Sequence, residues 1–226
     1  TDQAKINLIK EGIEENKVFV TGNTVIDAML QANDKIMNDK PLLNSLIENL
    51  PLEFDLRKEK FILVTGHRRE NFGQNFLNVC NATKAIAEEF SNYHVVFAMH
   101  MNPEVVNTVK VNLSGIRTVH LIPAQDYLTF TLLMSHCYLV LTDSGGIQEE
   151  APSFSKPVLV TRDTTERPEI IQAGAGVLVG TEYEDIYRMI KLLVEDTEFY
   201  NNMAVAENPY GNGTAAVKIL ENLNEN

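Results

Sequence analysis

The sequence lacks the features of several common protein classes, and each absence narrows what the chain can be. Its 226 residues include only two cysteines, Cys80 and Cys137, which argues against a disulfide framework and indicates buried, reduced thiols of a cytosolic protein. Basic residues are also scarce, because 19 lysines and arginines stand against 31 acidic residues and give a net charge of −12. Nucleic acids and anionic membranes repel such a chain, so we expect neither as a partner.

Long apolar runs and the common catalytic motifs are absent as well. No run approaches the roughly 20 apolar residues that span a bilayer, so we expect no membrane segment. Histidines and cysteines do not cluster at metal-ligand spacing, and the Gly-x-Ser-x-Gly, P-loop and Gly-x-Gly-x-x-Gly motifs are missing. These absences disfavour a zinc hydrolase, a serine hydrolase and an NAD enzyme, and we expect neither a metal nor a cofactor.

Short apolar, β-prone segments do recur along the chain, and helical patterns separate most of them. Parallel strands that are buried on both faces have this appearance, because helices cover both sides of their sheet. We therefore predict an α/β fold, a doubly wound parallel sheet with helices on both faces, in one domain covering residues 1–226. Its ligand should lie beyond the carboxyl ends of the strands. The predicted strands are residues 18–21, 61–65, 94–99, 118–122, 138–142, 157–161 and 177–179.

The regions outside the predicted sheet are helical or irregular. The chain opens on Thr1 with an amphipathic helical pattern, and we expect it to be a piece of a longer protein. Residues 38–60 are predicted as a surface excursion that precedes the sheet. Beyond residue 182 the pattern is helical, with a turn at residues 208–213 and a final helix at about residues 214–223.

Residues 141–150 combine the end of a strand, a glycine turn and the start of a helix, an arrangement that suits an anion. Ser144 is positioned to cap the helix, and Gly145 and Gly146 allow the backbone to approach a ligand. Helix N–H groups and the helix dipole favour a phosphate there, and Glu150 could accept hydrogen bonds from sugar hydroxyls. The alternative is an ordinary strand-to-helix turn with a good cap.

A second polar loop, residues 66–73, directly follows a predicted strand. Arg68 and Arg69 could neutralise a diphosphate with forked hydrogen bonds, and His67 could donate to a leaving phosphate oxygen or carry a proton near neutral pH. Function concentrates in loops at this edge of such a sheet. The alternative is a solvated loop with incidental charges.

A third polar loop, residues 162–169, follows another predicted strand. Arg167 could reach a diphosphate or a carboxylate, and Glu166 and Glu169 could orient it or favour the start of a helix. Pro168 is predicted in the first turn of that helix. A structural ion pair is the competing interpretation of Arg167.

Other residues at strand ends are less specific. His100 could contact a ligand or cap the next turn, with the second role favoured. Gln125 and Phe130 suit the recognition and stacking of a base, although an aromatic residue at this spacing more often belongs to the core. The remaining histidines lie within or beside apolar runs and are predicted to be structural: His94, His120 and His136.

Anion donors, a ribose-suited carboxylate and an aromatic ring together predict a nucleotide-diphosphate site. The segments that carry it recur in a specific order: Val20-Thr21-Gly22-Asn23-Thr24, Gly66-His67-Arg68-Arg69-Glu70-Asn71, Asp143-Ser144-Gly145-Gly146-Ile147-Gln148-Glu149-Glu150-Ala151-Pro152, Thr164-Thr165-Glu166-Arg167-Pro168-Glu169 and Asn208-Pro209-Tyr210-Gly211. Together they resemble the non-hydrolysing UDP-N-acetylglucosamine 2-epimerases, and the likeness covers essentially the whole chain.

This resemblance implies a fold and a reaction. The fold would be the Rossmann-like, UDP-binding carboxyl-terminal half of a GT-B-type protein, with residues 214–223 packing toward a missing amino-terminal domain. The family eliminates UDP from UDP-N-acetylglucosamine to give a 2-acetamidoglucal, then adds UDP back after protonation of C2 from the opposite face. The product would be UDP-N-acetylmannosamine, and homodimerisation is also implied.

The resemblance further implies roles for particular residues. Ser144, Gly145 and Gly146 would hold the diphosphate, Glu150 the ribose and Arg167 the rest of the site. The uracil region would contact Gln125 and Phe130. The catalytic residue of this chain would be His67, beside the diphosphate. A second, regulatory UDP-N-acetylglucosamine site would be lined by Arg68 and His100.

The same resemblance leaves the chain catalytically incomplete. The carboxylates that move the C2 proton in the family lie in the amino-terminal domain, so we expect this chain to bind without turnover. Departures from the family pattern are Ser155 in place of glycine, Ala98 and Met99 in place of Pro-Val, and Asn212 in place of aspartate. The alternatives are a non-enzymatic UDP-sugar-binding or regulatory module, and a hydrolysing epimerase or GT-B glycosyltransferase.

Overall fold

The computed structural model describes residues 1–66 and 73–225, which include a six-stranded, fully parallel sheet with the strand order β3-β2-β1-β4-β5-β6. This order confirms the predicted doubly wound α/β fold. The strands are β1 (Lys60–Gly66), β2 (Tyr93–Met99), β3 (Val119–Pro123), β4 (Leu139–Thr142), β5 (Val158–Val160) and β6 (Gly176–Leu178).

Helices connect the strands and cover both faces of the sheet. Alternate residues of β1 point to opposite faces, so that Ile62 and Val64 join one apolar core while Phe61 and Leu63 join the other. The helices are α1 (Asp2–Lys10), α2 (Thr24–Asn38), α3 (Lys40–Asn49), α4 (Gln74–Glu89), α5 (Pro103–Leu113), α6 (Tyr127–His136), α7 (Gly145–Glu150), α8 (Pro168–Gln172), α9 (Tyr183–Glu195), α10 (Thr197–Ala204) and α11 (Ala215–Glu225).

The strand order reverses between β1 and β4, and a crevice opens there at the carboxyl ends of the strands. The chain moves outward from β1 through β2 to β3, then returns to the other side of β1 with β4. In sheets of this kind the ligand binds at such a switch point. The end of β4 leads directly into α7, and the end of β1 leads into the loop after Gly66.

One predicted strand is wrong. Residues 18–21 are extended but belong to no strand, and Phe19 and Val20 are 51% and 41% exposed. A β-prone segment needs a neighbouring strand for its backbone hydrogen bonds, and the described sheet ends at β3 and β6. The other six predicted strands are confirmed.

The predicted surface excursion at residues 38–60 is also partly wrong, because it contains α3. Asp39 caps this helix by accepting a hydrogen bond from the Leu42 N–H at 3.0 Å, and Pro41 lies in its first turn. Both features are ordinary signals of a helix start. Prolines and mixed charges favour an irregular segment by composition alone, whereas the position of Pro41 directly after the Asp39 cap marks a helix start.

The carboxyl-terminal region agrees with prediction. A turn interrupts the helices at residues 208–213, and the last helix, α11, begins one residue after the predicted start. Asp27 of α2 holds the beginning of α11, because its carboxylate accepts hydrogen bonds from the N–H groups of Ala215 and Ala216 at 3.1 and 2.9 Å. In the described part of the chain, no helix is both long enough and apolar enough to cross a bilayer.

The residues predicted to be structural have structural partners. Cys80 and Cys137 are free and buried, and burial raises the pKa of each thiol to about 12. His94 stacks on Phe54 and exchanges a 3.0 Å hydrogen bond with His120. His136 bonds to the Leu132 carbonyl through Nδ1.

Candidate functional site

A pair of threonine hydroxyls joins the two strands that flank the switch point. Thr65 Oγ1 of β1 and Thr142 Oγ1 of β4 lie 2.7 Å apart and are buried. Thr142 Oγ1 also accepts a hydrogen bond from the Ser144 N–H at 3.0 Å, so the pair sets the start of the turn into α7. Sequence reasoning missed both residues, although their positions at the ends of adjacent strands were a usable signal.

The turn into α7 has the predicted backbone arrangement but not the predicted cap. Ser144 occupies the N-cap position, yet its hydroxyl makes no capping hydrogen bond, so that part of the prediction is wrong. The first N–H groups of a helix have no partner within that helix. Gly145 and Gly146 carry these groups at the crevice, where the Ser144 hydroxyl remains available to the adjoining cavity.

A cavity of about 160 Å³ lies at the switch point and contacts several predicted site residues. It brings together Gln125, Phe130 and Ser144, which were singled out separately along the sequence. His100 lines the same cavity, and its Nδ1 accepts a hydrogen bond from the Asn102 N–H at 3.2 Å. Two of the departures from the family pattern, Ala98 and Met99, line it as well.

Gln125 is oriented by the end of β3. Its Nε2 donates a 2.7 Å hydrogen bond to the Pro123 carbonyl, which holds the side chain at the rim of the cavity. Phe130 lies on α6 and packs partly against the core, with part of its surface exposed. An amide, an aromatic ring and Ser144 therefore border the same cavity.

Glu150 ends α7 as a buried carboxyl group with an unusual protonation equilibrium. Burial raises its pKa to about 7, the negative charge of Glu149 adds to this rise, and the Tyr127 hydroxyl opposes it by hydrogen bonding. The same environment raises the pKa of Tyr127. Near neutral pH, Glu150 can therefore accept hydrogen bonds as a carboxylate or donate one as an acid.

Arg167 and Glu149 form an ion pair behind the start of α7. Arg167 Nε donates to Glu149 Oε1, and Nη1 donates to the Glu166 carbonyl at 3.2 Å. The guanidinium also faces Gly145, because its Nη2 lies 3.9 Å from the position that a Cβ on Gly145 would occupy. The structural and the ligand-binding interpretations of Arg167 are thus compatible.

The loop before α8 is fastened to α7 by Gln148, which is fully buried. Thr165 Oγ1 donates to Gln148 Oε1 at 2.6 Å, and Gln148 Nε2 donates to the Ser144 carbonyl at 3.2 Å. Thr165 Oγ1 also accepts from the Arg167 N–H at 3.0 Å. Sequence reasoning missed Gln148, although a polar residue in a buried helix next to two glycines was a signal.

Glu166 and Glu169 do not orient Arg167 through their carboxylates, so that interpretation is wrong, but Glu169 does lie in the first turn of α8, the other role considered for it. Glu166 instead receives both Nη groups of Arg162, and Glu169 accepts from the Thr1 and Tyr210 hydroxyls at 2.6 and 3.2 Å. The partner of Arg167 is Glu149, which sequence reasoning did not consider. Pro168 does lie in the first turn of α8, as predicted.

His67, Arg68 and Arg69 lie outside the described residues, in the gap between Gly66 and Gly73. The catalytic role of His67 and the regulatory role of Arg68 therefore stay predictions. The two ends of the gap border different cavities: Gly66 lines the switch-point cavity, and Gly73 lines a neighbouring one beside α5.

Sequence comparison connects this chain to one group of proteins. The family described as UDP-N-acetylglucosamine 2-epimerase matches residues 1–224. A UDP-N-acetylglucosamine 2-epimerase from Yersinia pestis is 48% identical over 223 residues, which are 99% of this chain and 59% of the relative. The chain thus spans about 60% of the length of the curated relatives that it matches.

Structural comparison gives the same group. UDP-GlcNAc 2-epimerase from Neisseria meningitidis, solved with UDP-GlcNAc, superposes with a TM-score of 0.93 at 44% identity, covering 100% of this chain and 60% of that one. S. aureus MnaA, solved with UDP, gives 0.88 at 39% identity, covering 99% and 58%.

A more distant likeness concerns the fold alone. The C-terminal domain of a glycosyl transferase group 1 family protein from Francisella tularensis gives a TM-score of 0.53 at 15% identity, covering 77% of this chain and 97% of that one. Together with the epimerase structures, this likeness identifies the fold as the Rossmann-like half of a GT-B-type protein.

Proposed function

Because the chain belongs to the UDP-N-acetylglucosamine 2-epimerase family, we propose that it is the UDP-binding, carboxyl-terminal part of a non-hydrolysing UDP-N-acetylglucosamine 2-epimerase. The observation that carries this proposal is the convergence of α7, Arg167 and a cavity bordered by Gln125 and Phe130 at the sheet's switch point. These groups suit the phosphates and the base of one nucleotide.

The diphosphate of UDP would bind at the start of α7. The N–H groups of Gly145 and Gly146 and the Ser144 hydroxyl would donate hydrogen bonds to phosphate oxygens, and the helix dipole would favour the negative charge. Arg167 would supply a positive charge with a fixed fork of donors. In a chain with a net charge of −12, such local donors are needed to attract an anion.

The nucleoside would extend from the diphosphate along α7 and into the cavity. Glu150 would accept hydrogen bonds from the ribose hydroxyls, Phe130 would contact the uracil ring, and the Gln125 amide would recognise polar atoms of the base. His100 and Arg68 would line a second, regulatory sugar-nucleotide site. The neighbourhood of His100 is continuous with the proposed UDP site, since His100 and Ser144 border one cavity.

The reaction would proceed by elimination and re-addition, without a cofactor. A base would remove the C2 proton while the bond between C1 and the UDP oxygen breaks, which leaves 2-acetamidoglucal and UDP. His67 would assist the departure and return of UDP. Proton delivery to the opposite face of C2 and attack of UDP on C1 would then give UDP-N-acetylmannosamine, with atoms and charge conserved.

The C2 acid and base would come from an amino-terminal domain that completes the protein. In support of such a domain, α1 and α11 expose apolar side chains, including Ile6 and Leu8 on one and Leu220 and Leu223 on the other. The 226-residue chain is expected to bind UDP without turnover. A homodimer and a cytoplasmic location are further parts of this proposal, and the two buried thiols support the second.

Calorimetric titration of the chain with UDP tests the proposal, with CMP as the control nucleotide and an epimerisation assay on the same sample. Binding of UDP in preference to CMP, without turnover, is the expected result. Failure to bind UDP would reject the proposed site, and turnover would refute the assignment of the acid and base to another domain. Release of free N-acetylmannosamine by the complete protein would indicate the hydrolysing reaction instead.

A further inference from the structure

Two segments outside the proposed UDP contacts converge behind α7 on one residue, Glu149. Asn23 Nδ2 donates to Glu149 Oε2 at 2.7 Å, and Asn208 Nδ2 donates to the Glu149 carbonyl at 2.7 Å. Asn23 lies just before α2, and Asn208 lies in the turn that precedes α11. Residues far apart in the sequence thus contact Glu149, which is not among the residues that line the cavity.

Asn23 uses its side chain in an unusual way for its position. It occupies the N-cap of α2, where asparagine commonly accepts a hydrogen bond from its own helix, yet it makes no capping hydrogen bond there. Its amide is turned to Glu149 instead. The start of α2 therefore lacks a side-chain cap, because the Asn23 side chain bonds to Glu149.

The backbone around Asn23 holds that orientation. The Asn23 N–H donates to the Tyr210 carbonyl at 2.7 Å. Gly22 has a φ of +85°, and a Cβ there would lie 3.0 Å from the Tyr210 oxygen, so only glycine allows this approach. The segments 20–24 and 208–211 consequently form a single support for the Asn23 side chain.

Glu149 is 7% exposed, and both of its carboxylate oxygens are used. One oxygen accepts from Asn23, and the other accepts from Arg167 Nε. A buried carboxylate needs such partners, because an unpaired buried charge is costly. The pair fixes Arg167 through Nε, while the arginine side chain stays 36% exposed and its Nη2 faces Gly145.

We propose that Glu149, oriented by Asn23, is a positioning residue that holds the Arg167 guanidinium against the start of α7 for a diphosphate. This inference rests on the proposed UDP site. Glu149 does not touch the nucleotide in this arrangement, and it acts through Arg167 alone. The competing explanation is an ion pair that contributes to stability only.

The test measures binding of UDP and of uridine to the 226-residue chain, because only UDP carries the diphosphate. Glu149→Gln places an amide opposite Arg167 Nε and removes the charge that aligns it. The variant should bind UDP about tenfold more weakly. Measured at about pH 9, where Glu150 is a carboxylate with or without the Glu149 charge, its affinity for uridine should change by less than about twofold, because the nucleoside contacts do not involve Arg167.

A double-mutant cycle separates positioning from a general structural effect. Once Arg167→Gln has removed the guanidinium, adding Glu149→Gln should weaken UDP binding no further.

Asn23→Ala keeps the ion pair and loses only the Asn23 hydrogen bond, so a loss of about two- to threefold in UDP affinity is expected. This milder variant maintains the test if Glu149→Gln does not fold. Glu182→Gln, the same charge change at an exposed position, should match the unmodified chain.

The outcomes distinguish this inference from the proposed function. If the unmodified chain binds UDP but Glu149→Gln and Asn23→Ala leave the ratio of UDP to uridine affinity unchanged, the positioning role is wrong and the UDP site stands. Equal losses for UDP and uridine, or independent effects of Glu149→Gln and Arg167→Gln, would also overturn it. If the unmodified chain does not bind UDP, the proposed function fails first and the inference fails with it.

Discussion

The two ends of the parallel sheet both contain buried or half-buried titratable groups, but these groups have different kinds of partners. At the amino ends of the strands, His94 stacks on Phe54 and bonds to His120 and Glu59. At the carboxyl ends, Glu149 is paired with Arg167, whose guanidinium still faces an open turn. The histidine group at the amino edge is bonded to its own neighbours, whereas the ion pair at the carboxyl edge leaves the Arg167 guanidinium facing the turn.

The difference follows from the direction of the strands. Helices begin at the carboxyl edge, so their first N–H groups and dipoles gather around the crevice between β1 and β4. The amino edge receives the ends of the helices that lead into the next strands. Substitutions at the carboxyl edge should therefore change nucleotide binding, whereas substitutions at the amino edge should change stability alone.

The largest expected effect is on UDP binding at the carboxyl edge. Ser144→Ala and Glu150→Ala should each weaken UDP binding by about 1.5–3 kcal/mol, because each removes a hydrogen-bonding group of the proposed nucleotide site. Both residues lie at the ends of α7, so the fold should survive. Calorimetry with UDP measures the change, and circular dichroism checks the fold. Unchanged affinity in both variants would reject the proposed pocket.

A somewhat smaller effect should appear in the pH dependence of stability. The pKa of Glu150 is raised from 4.5 to about 7 in the folded chain, so folding becomes less favourable as pH rises from about 4.5 to 7 and the unfolded state loses the proton first. Glu150→Gln should remove this cost, which residual solvent screening of the carboxyl group reduces to roughly 2 kcal/mol above pH 7. Urea unfolding at pH 5 and pH 8 measures this cost. If the free energies of unfolding of the variant and the unmodified chain differ by the same amount at both pH values, the prediction is wrong.

The threonine pair at the switch point should contribute next. Thr142→Val leaves the Thr65 hydroxyl and the Ser144 N–H without their partner, which should cost about 1–2 kcal/mol of unfolding free energy. Thr83→Val is the matched control, because the buried Thr83 hydroxyl has no partner among the described residues. The control should be neutral or stabilising. An equal loss of unfolding free energy in Thr142→Val and Thr83→Val would show that the threonine pair has no special role.

At the amino edge, the sign of the pH effect should reverse. The pKa of His120 is lowered by burial first and then by His94, with Glu53 and Glu59 opposing, so its contribution to stability is present above pH 6.5 and lost as pH falls. His120→Gln should cost about 1 kcal/mol at pH 8 and less in acid. Its UDP affinity should equal that of the unmodified chain, and any marked weakening would break the contrast between the two edges.

The smallest effect is expected at Ser155, also at the amino edge, just before β5. Ser155 has a φ of 56° and is the one non-glycine residue in the left-handed region among those described. Because a residue with a Cβ adopts this conformation with strain, Ser155 has a conformational cost in this chain. Ser155→Gly should raise the unfolding free energy by about 0.5 kcal/mol, since the strain relieved exceeds the entropy lost. Thermal unfolding measures it, and UDP affinity should not change.

Much of the fold was predictable because its signals are local. The six confirmed strands are apolar on both faces, and the glycine-rich turn and Pro168 mark helix starts wherever they occur. The exceptions also have local explanations. Residues 18–21 resemble a strand by composition but have no neighbouring strand. Asp39 and Pro41 indicate the start of a helix, which the predicted surface excursion did not include.

The sequence by itself determined the class of fold, the loops at which the candidate site lies and some of the side chains that line its cavity. Only the tertiary structure decided the partners: Glu149 rather than Glu166 or Glu169 for Arg167, Thr65 for Thr142, and Asn23 for Glu149. The physical reason is that side-chain spacing reports the local backbone, whereas partners separated by up to 126 residues meet only when strand order and packing bring their elements together.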